Sequence, residues 1–290
     1  MARPSLEHAA SVWWTGGKVA NRKLEAVQER VGRKLLGASR TVAGAAIRED
    51  LGWKRLEERR EEKVLYGRRI QRLEDSRLAK QITARMKECG GVSWAGECDL
   101  LLRKYGLEDY EMGSVQEWKE TVHSINSRDW VEEVEGKHSL SWYRMVKEGA
   151  GLEQYTRSSV GHEELRLRFQ LRTGSAGLLE DKKRCKMCTD DRCVLCDSGE
   201  VEDVKHFLVR CEEFSWERQR LLERIGQMEG SQEWLEEYWR AEEEGKMALL
   251  LGSSIEGGPG PGAGVDEYVM EEVLKWWQRR KERVYGGNPC

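Results

Sequence analysis

The stretch "CKMCTDDRCVLCDSGEVEDVKHFLVRC" (residues 185–211) holds five of the eight cysteines and one of the five histidines of a 290-residue chain. Its spacing is C-x2-C-x4-C-x2-C-x9-H-x4-C. A C-x2-C pair lets two thiolates on one tight turn reach one ion, and "EDVKHFLVRC" (202–211) reads as a helix that turns His206 and Cys211 toward a common point. Soft sulfur with one imidazole suits zinc in a tetrahedral shell. Six side chains compete for four positions. The favoured set is Cys193, Cys196, His206 and Cys211, because four residues between the two pairs leave little room for a second tetrahedral site. Cys185 and Cys188 remain as additional or exchanging ligands, or as half of a site completed by His162, Cys89, Cys98 or Cys290. Four protein ligands leave no open position, so the expected role is structural.

The rest of the chain reads as mainly α, helical segments around a small zinc-stabilised knuckle with few or no strands. Glu, Arg, Leu and Lys runs favour helix, and alternating β-branched runs are scarce. Helices are expected over residues 4–14, 19–36, a short one capped by Thr41 and ending at 51–53, 54–87, 96–105, 114–135 and 138–148. Further ones follow on the Arg-rich stretch from 161, then over 212–225, 231–252 and 266–286. The division read from this pattern is 1–88 (a basic, thumb-like helical region), 92–160 (acidic and Trp-rich), 161–226 (Arg-rich helix plus knuckle), 227–252 (helical extension), 253–265 (a Gly/Pro linker) and 266–290 (a last helix). The "CGGVSW" stretch (89–94) marks the first boundary. Core packing is the expected role for Trp94, Trp118, Trp130 and Trp142.

The net charge of −3 hides an asymmetry, since residues 1–85 carry 20 Lys/Arg against 11 Asp/Glu while residues 86–150 carry 8 against 13. A basic first third points to a polyanion partner, RNA or DNA, and the competing account is a solvated face of mixed charge. Arg30, Arg33 and Lys34 belong to this region. "GHEELRLRFQLRTGSAGLL" (161–179) adds Arg166, Arg168 and Arg172 near a glycine-rich helix end, a pattern able to hold phosphates. "LKWWQRRK" (274–281) adds Arg279 and Arg280 beside Trp276 and Trp277, with docking of the helix by its Trp residues as the competing account. No apolar run approaches the ~18 residues that cross a membrane, and the first residues lack a signal-peptide core. An intracellular location, nuclear or cytoplasmic, follows as an expectation, and with it metal rather than disulfides at the cysteines.

"LRLRFQLRTGSAGLLEDKKRC" (165–185) followed by "CVLCDSGEVEDVKHFLVRCEEF" (193–214) resembles the C-terminal segment of reverse transcriptases from non-LTR (LINE-type) retrotransposons. There an "LRTG" helix precedes a C-x2-C…H-x4-C zinc motif. "RKLEAVQERVGRKLLGASRTVAGAAIREDLGWKRLEERREEK" (22–63) is similar to the helical, thumb-like segment that follows the palm in those proteins. The resemblance implies the Cys193, Cys196, His206, Cys211 set, a zinc ion, and a tail that helps to hold RNA or target DNA in a retroelement ribonucleoprotein. The chain departs from the family in having no [FY]-x-D-D palm motif and no endonuclease segment. "TDD" (189–191) lies within the cysteine cluster. The expectation is therefore the post-palm part of such a frame, a binder and not an enzyme. Two other accounts are a zinc-stabilised helical protein-interaction scaffold and a decayed element fragment without a selected role.

Overall fold

A computed structural model describes residues 18–66, 74–88, 93–108, 115–147, 149, 151–157, 161–253 and 263–286. The expected helix over 4–14, most of the 253–265 linker, and Cys89 and Cys290 lie outside these residues. Thirteen α-helices follow in chain order among the described residues: α1 (Lys18–Leu36), α2 (Gly44–Asp50), α3 (Leu56–Tyr66), α4 (Leu78–Glu88), α5 (Trp94–Lys104), α6 (Val115–Glu135), α7 (Ser141–Val146), α8 (His162–Arg172), α9 (Leu179–Arg184), α10 (Ser215–Ile225), α11 (Gln232–Arg240), α12 (Glu243–Leu250) and α13 (Ala263–Tyr285). The one extended pairing among them is an isolated antiparallel bridge between Arg192 and Val201. The fold class is thus mainly α, as the composition indicates.

Several expected boundaries move. The helix expected over 54–87 is interrupted, because residues 74–77 form a turn. Gln81 donates to the Asp75 carbonyl, and Lys80 pairs with the Asp75 carboxylate at 2.6 Å, which starts α4 afresh. Thr41 does not cap α2. Its hydroxyl lies 2.6 Å from that of Ser39, and extended Ala43 occupies the N-cap. The helix expected over 231–252 breaks at Ala241 and Glu242, both extended.

The chain forms two compact units, and neither is contiguous in sequence. One comprises residues 1–30 and 53–132, the other 31–52 and 133–290. The division runs through α1 and α6, so it differs from the contiguous regions read off composition.

In the first unit α5 packs against α3 and α4. Cys98, Leu101, Leu102, Tyr105, Leu107 and Val122 form its buried cluster. Ser93 begins α5 by accepting from the Gly96 N–H at 3.2 Å, an N-cap hydrogen bond. Glu61 is buried on α3, where Lys104 donates to it at 2.8 Å and the Tyr105 hydroxyl donates to it as well. Arg60 donates to Asn21 at 2.5 Å, and Asn21 to Glu57 at 2.9 Å, tying α1 to α3. Trp130 is buried, in line with the packing role expected for it.

The second unit is built around α8, whose second half is buried on most sides. Leu167, Arg168, Phe169, Leu171 and Arg172 are all inaccessible. Helices α7 and α13 pack on α8, and α12 packs on both of these. A helix so enclosed normally carries apolar residues all round. Here two arginines stand inside, so their charges need buried partners. Asp50, at the end of α2, supplies one: it is 0% exposed and accepts from Tyr143 at 2.6 Å and Tyr155 at 2.5 Å. Arg172 lies 3.9 Å from Asp50 and 3.1 Å from Glu153, and donates to the carbonyls of Leu251 (3.0 Å) and Val146 (3.1 Å). Lys147 completes the network, 2.7 Å from Glu153 and 3.8 Å from Asp50. Burial pushes the Asp50 carboxyl up, and Arg172 and Lys147 pull against it.

Candidate metal centre

The centre is assembled by two short pieces of backbone that follow α9. The first is a minimal hairpin. Cys193 N–H donates to Glu200 O at 2.8 Å and Glu202 N–H to Asp191 O at 2.7 Å, either side of the Arg192–Val201 bridge. Gly199 sits at φ +70, a left-handed conformation that glycine adopts without a Cβ clash, and lets the loop carrying Cys196 turn back. The second piece starts where Asp203 accepts from the His206 N–H at 2.6 Å, as an N-cap does.

The sequence suggests an ordinary helix after Asp203. Instead His206–Arg210 is a π-turn, closed by Cys211 N–H donating to His206 O at 2.7 Å. The wider turn brings residues five apart into line, so His206 and Cys211, at its two ends, project to the same side.

The ligand atoms of Cys193, Cys196, His206 and Cys211 lie within 4.8 Å of one another, a group that could hold a metal ion. The Cys193 and Cys211 sulfurs are 3.9 Å apart, and Cys196 Sγ is 3.4 Å from His206 Nε2. A tetrahedral ion with bonds of about 2.3 Å to sulfur and about 2.0–2.1 Å to nitrogen needs separations of about 3.8 and 3.5 Å. These two separations match that shell. Cys193, His206 and Cys211 are buried, and Cys196 is half-buried at the rim.

The surroundings orient these ligands. His206 Nδ1 is 3.0 Å from the Glu200 carboxylate, which fixes the ring and leaves Nε2 facing the sulfurs. The Leu195 N–H donates to Cys193 Sγ at 3.5 Å. Arg218 donates to the Cys211 carbonyl at 2.7 Å. The hydrogen bond between the Cys193 and Cys211 sulfurs brings the Cys193 thiol down to about 3 and pushes the Cys211 thiol up. Burial disfavours charge on His206, but hydrogen bonds from its ring to Cys193 and Glu200 outweigh it and lift the imidazole to about 9. The protein thus gathers partly ionised sulfur and an oriented imidazole at one point.

Cys185 and Cys188 stand apart from this group. Cys185 Sγ faces Asp181 at 3.8 Å, and burial followed by the Asp181 charge pushes its thiol up. Cys188 Sγ faces the carbonyls of Asp190 (3.2 Å) and Leu179 (3.6 Å). Cys98 is buried in the cluster of the first unit, and His162 is exposed at the start of α8.

The arginines expected to meet nucleic acid divide sharply. Arg168 and Arg172 are buried, so neither can reach a phosphate, and that expectation is corrected. Arg168 pairs with Asp266 at 2.6 Å, and Arg172 serves the Asp50 network. Arg280 is 0% exposed and grips Glu202 with two hydrogen bonds of 2.6 and 2.5 Å, a second correction. Arg279 is half-exposed and pairs with Glu213 at 2.8 Å. Trp276 and Trp277 beside them are buried, so the docking account of that helix holds. Arg166 donates to the Lys34 (2.7 Å) and Leu35 (3.3 Å) carbonyls, capping the end of α1, and Arg33 fixes the next turn through Ser39 O and Val42 O. Arg30 and Lys34 are exposed on α1.

Glu200, Glu202 and Arg218 escape the sequence reading, since no spacing rule links a carboxylate or a guanidinium to a ligand through a hairpin. No helix among the described residues is long and apolar enough to cross a membrane. Comparison with family models, curated proteins and solved structures finds no match to this chain.

Proposed function

We propose that the chain is a nucleic-acid-binding module organised by a zinc ion, of the kind found after the palm of non-LTR retrotransposon reverse transcriptases. Zinc is the ion of choice because three sulfurs and one imidazole at tetrahedral spacing suit it better than the oxygen-seeking cations. With four protein ligands the ion keeps no place for substrate, so its work is to hold the fold. Partners are RNA or DNA, and no catalytic role is assigned to any residue.

The observation that carries the reading is the basic face of α1. Arg22, Lys23, Arg30 and Lys34 are exposed there and have no ion-pair partner among the described residues. Lys23 and Arg30 are two helical turns apart and Lys34 one turn further, so they follow one side of the helix. Unpaired cations in a row gain most from phosphates, through the release of condensed counterions. The test is binding of single-stranded and duplex RNA and DNA across a salt series, with wild type and the triple variant Arg22→Glu/Lys23→Glu/Arg30→Glu. Steep weakening with salt and loss in the variant are expected. An affinity indifferent to both defeats the reading.

A protein-interaction scaffold is the second reading, favoured by a separate feature of α1. Val19, Val27, Val31 and Leu35 are exposed on that helix, and phosphates would not cover them.

A further inference from the structure

The two halves of α13 share one apolar core but meet different segments of the chain in it. Near its start, Val265, Val269, Met270 and Val273 enter the apolar core, and Asp266 is fixed by Arg168. Its second half rests on the metal-centre segment. The Trp277 ring meets Phe207 edge-on at 5.7 Å, and Trp276 stacks on Phe214 at 6.2 Å. Arg280 is paired with Glu202, Arg279 with Glu213 and Glu217, and Arg283 with Glu213 at 3.1 Å.

Most of these partners stand close to a ligand in the chain, while Glu217 lies on α10, which itself packs on α13. Phe207 follows His206 directly. Glu202 lies on the hairpin between Cys196 and His206, and Glu213 and Phe214 follow Cys211 in a 3-10 turn. The hairpin has one isolated bridge and a few backbone hydrogen bonds to hold it, and the π-turn adds the burial of Phe207 and Leu208. Such a segment depends on a cross-link for its shape.

We propose that the bound ion latches the second half of α13, so that loss of the metal frees residues 276–285, uncovers Arg280 and releases the half-exposed Arg279 and Arg283 from their carboxylates, while the first half stays docked. The latch rests on the metal reading above. It makes the basic end of α13 an internally masked polyanion site, with Glu202, Glu213 and Glu217 in the place of phosphates. Metal occupancy then sets how much cationic surface the chain displays.

Hydrogen–deuterium exchange on the full chain tests this, with metal content measured on the same sample before and after chelation, and with Glu202→Gln as a variant that touches no ligand. Chelation should speed exchange over 276–285 by roughly tenfold or more and leave 265–273 and α8 unchanged. Glu202→Gln should speed the same window by less, with the metal retained. A chain that binds metal yet keeps 276–285 protected after chelation overturns the latch alone. Even loss of protection across the whole of α13 and α8 also overturns it. A chain that takes up no metal and still protects 276–285 overturns the latch and the metal reading together.

Discussion

Two clusters in the second unit join segments that would otherwise separate, and they do it by opposite means. The metal group draws all four members from Cys193 to Cys211 and gathers soft ligands around one point. The Asp50–Arg172 network draws its members from Asp50, Tyr143, Lys147, Glu153, Tyr155 and Arg172, on four separate stretches of chain, and balances charges in a dry interior. The first is local, a group that one metal ion could close. The second is long-range and closed by the protein alone. An ion supplies its cohesion only when bound, whereas a buried ion-pair network is always present and costly to break at any one member.

That contrast can be attacked from both sides. The largest effect is expected from Cys193→Ser. Structural zinc contributes about 10–16 kcal/mol of apparent binding energy in small domains, so metal content should fall to background and the cooperative melting of the second unit should be lost. Mass spectrometry of the native protein and calorimetry read the two outcomes. Next comes Arg172→Met, which leaves Asp50 and Glu153 without their guanidinium. It should cost about 3–5 kcal/mol with the metal content untouched, seen as a lowered denaturant midpoint. If Arg172→Met instead strips the metal, the two clusters are one cooperative element and the contrast fails.

Smaller effects sharpen the picture of the metal group. Glu200→Ala frees Nδ1 of His206 and should weaken metal affinity by about 10–100-fold, measured by competition with a chromophoric chelator, while the fold at saturating metal is kept. Cys185→Ser and Cys188→Ser should change neither metal content nor, beyond about 0.5 kcal/mol, stability. Metal loss in either one would bring the upstream pair into the shell and displace the four-ligand account.

The same contrast explains what could be read in advance. The metal group is legible because ligand chemistry is rare and its spacing is local: C-x2-C and H-x4-C point to one another without knowledge of the fold. Helix content is legible for a similar reason, since composition and periodicity act within a few turns. The destinations of the arginines are not. In "LRLRFQLR" (165–172) charged and apolar residues alternate too closely to show which face is solvent, and the answer is a narrow one, Leu165, Arg166 and Gln170, all half-buried. Nothing near Arg172 names Asp50 as its partner, 122 positions earlier in the chain. Arg280 and Glu202 are likewise joined only by the folded chain. The discontinuous units have the same origin, because burial across distant segments and not composition decides which helices belong together.

The π-turn at His206–Arg210 also governs which changes of length the chain can accept. Its hydrogen bond spans five residues, and both ligands hang from its ends. Replacing a side chain between them leaves that frame intact. Deleting one residue would leave an ordinary helical turn with the two ligands four apart, still on one face but with the second about 1.5 Å nearer along the axis. Related chains that keep this centre should therefore hold the number of residues between the histidine and the last cysteine, and keep apolar side chains where Phe207 and Leu208 are buried.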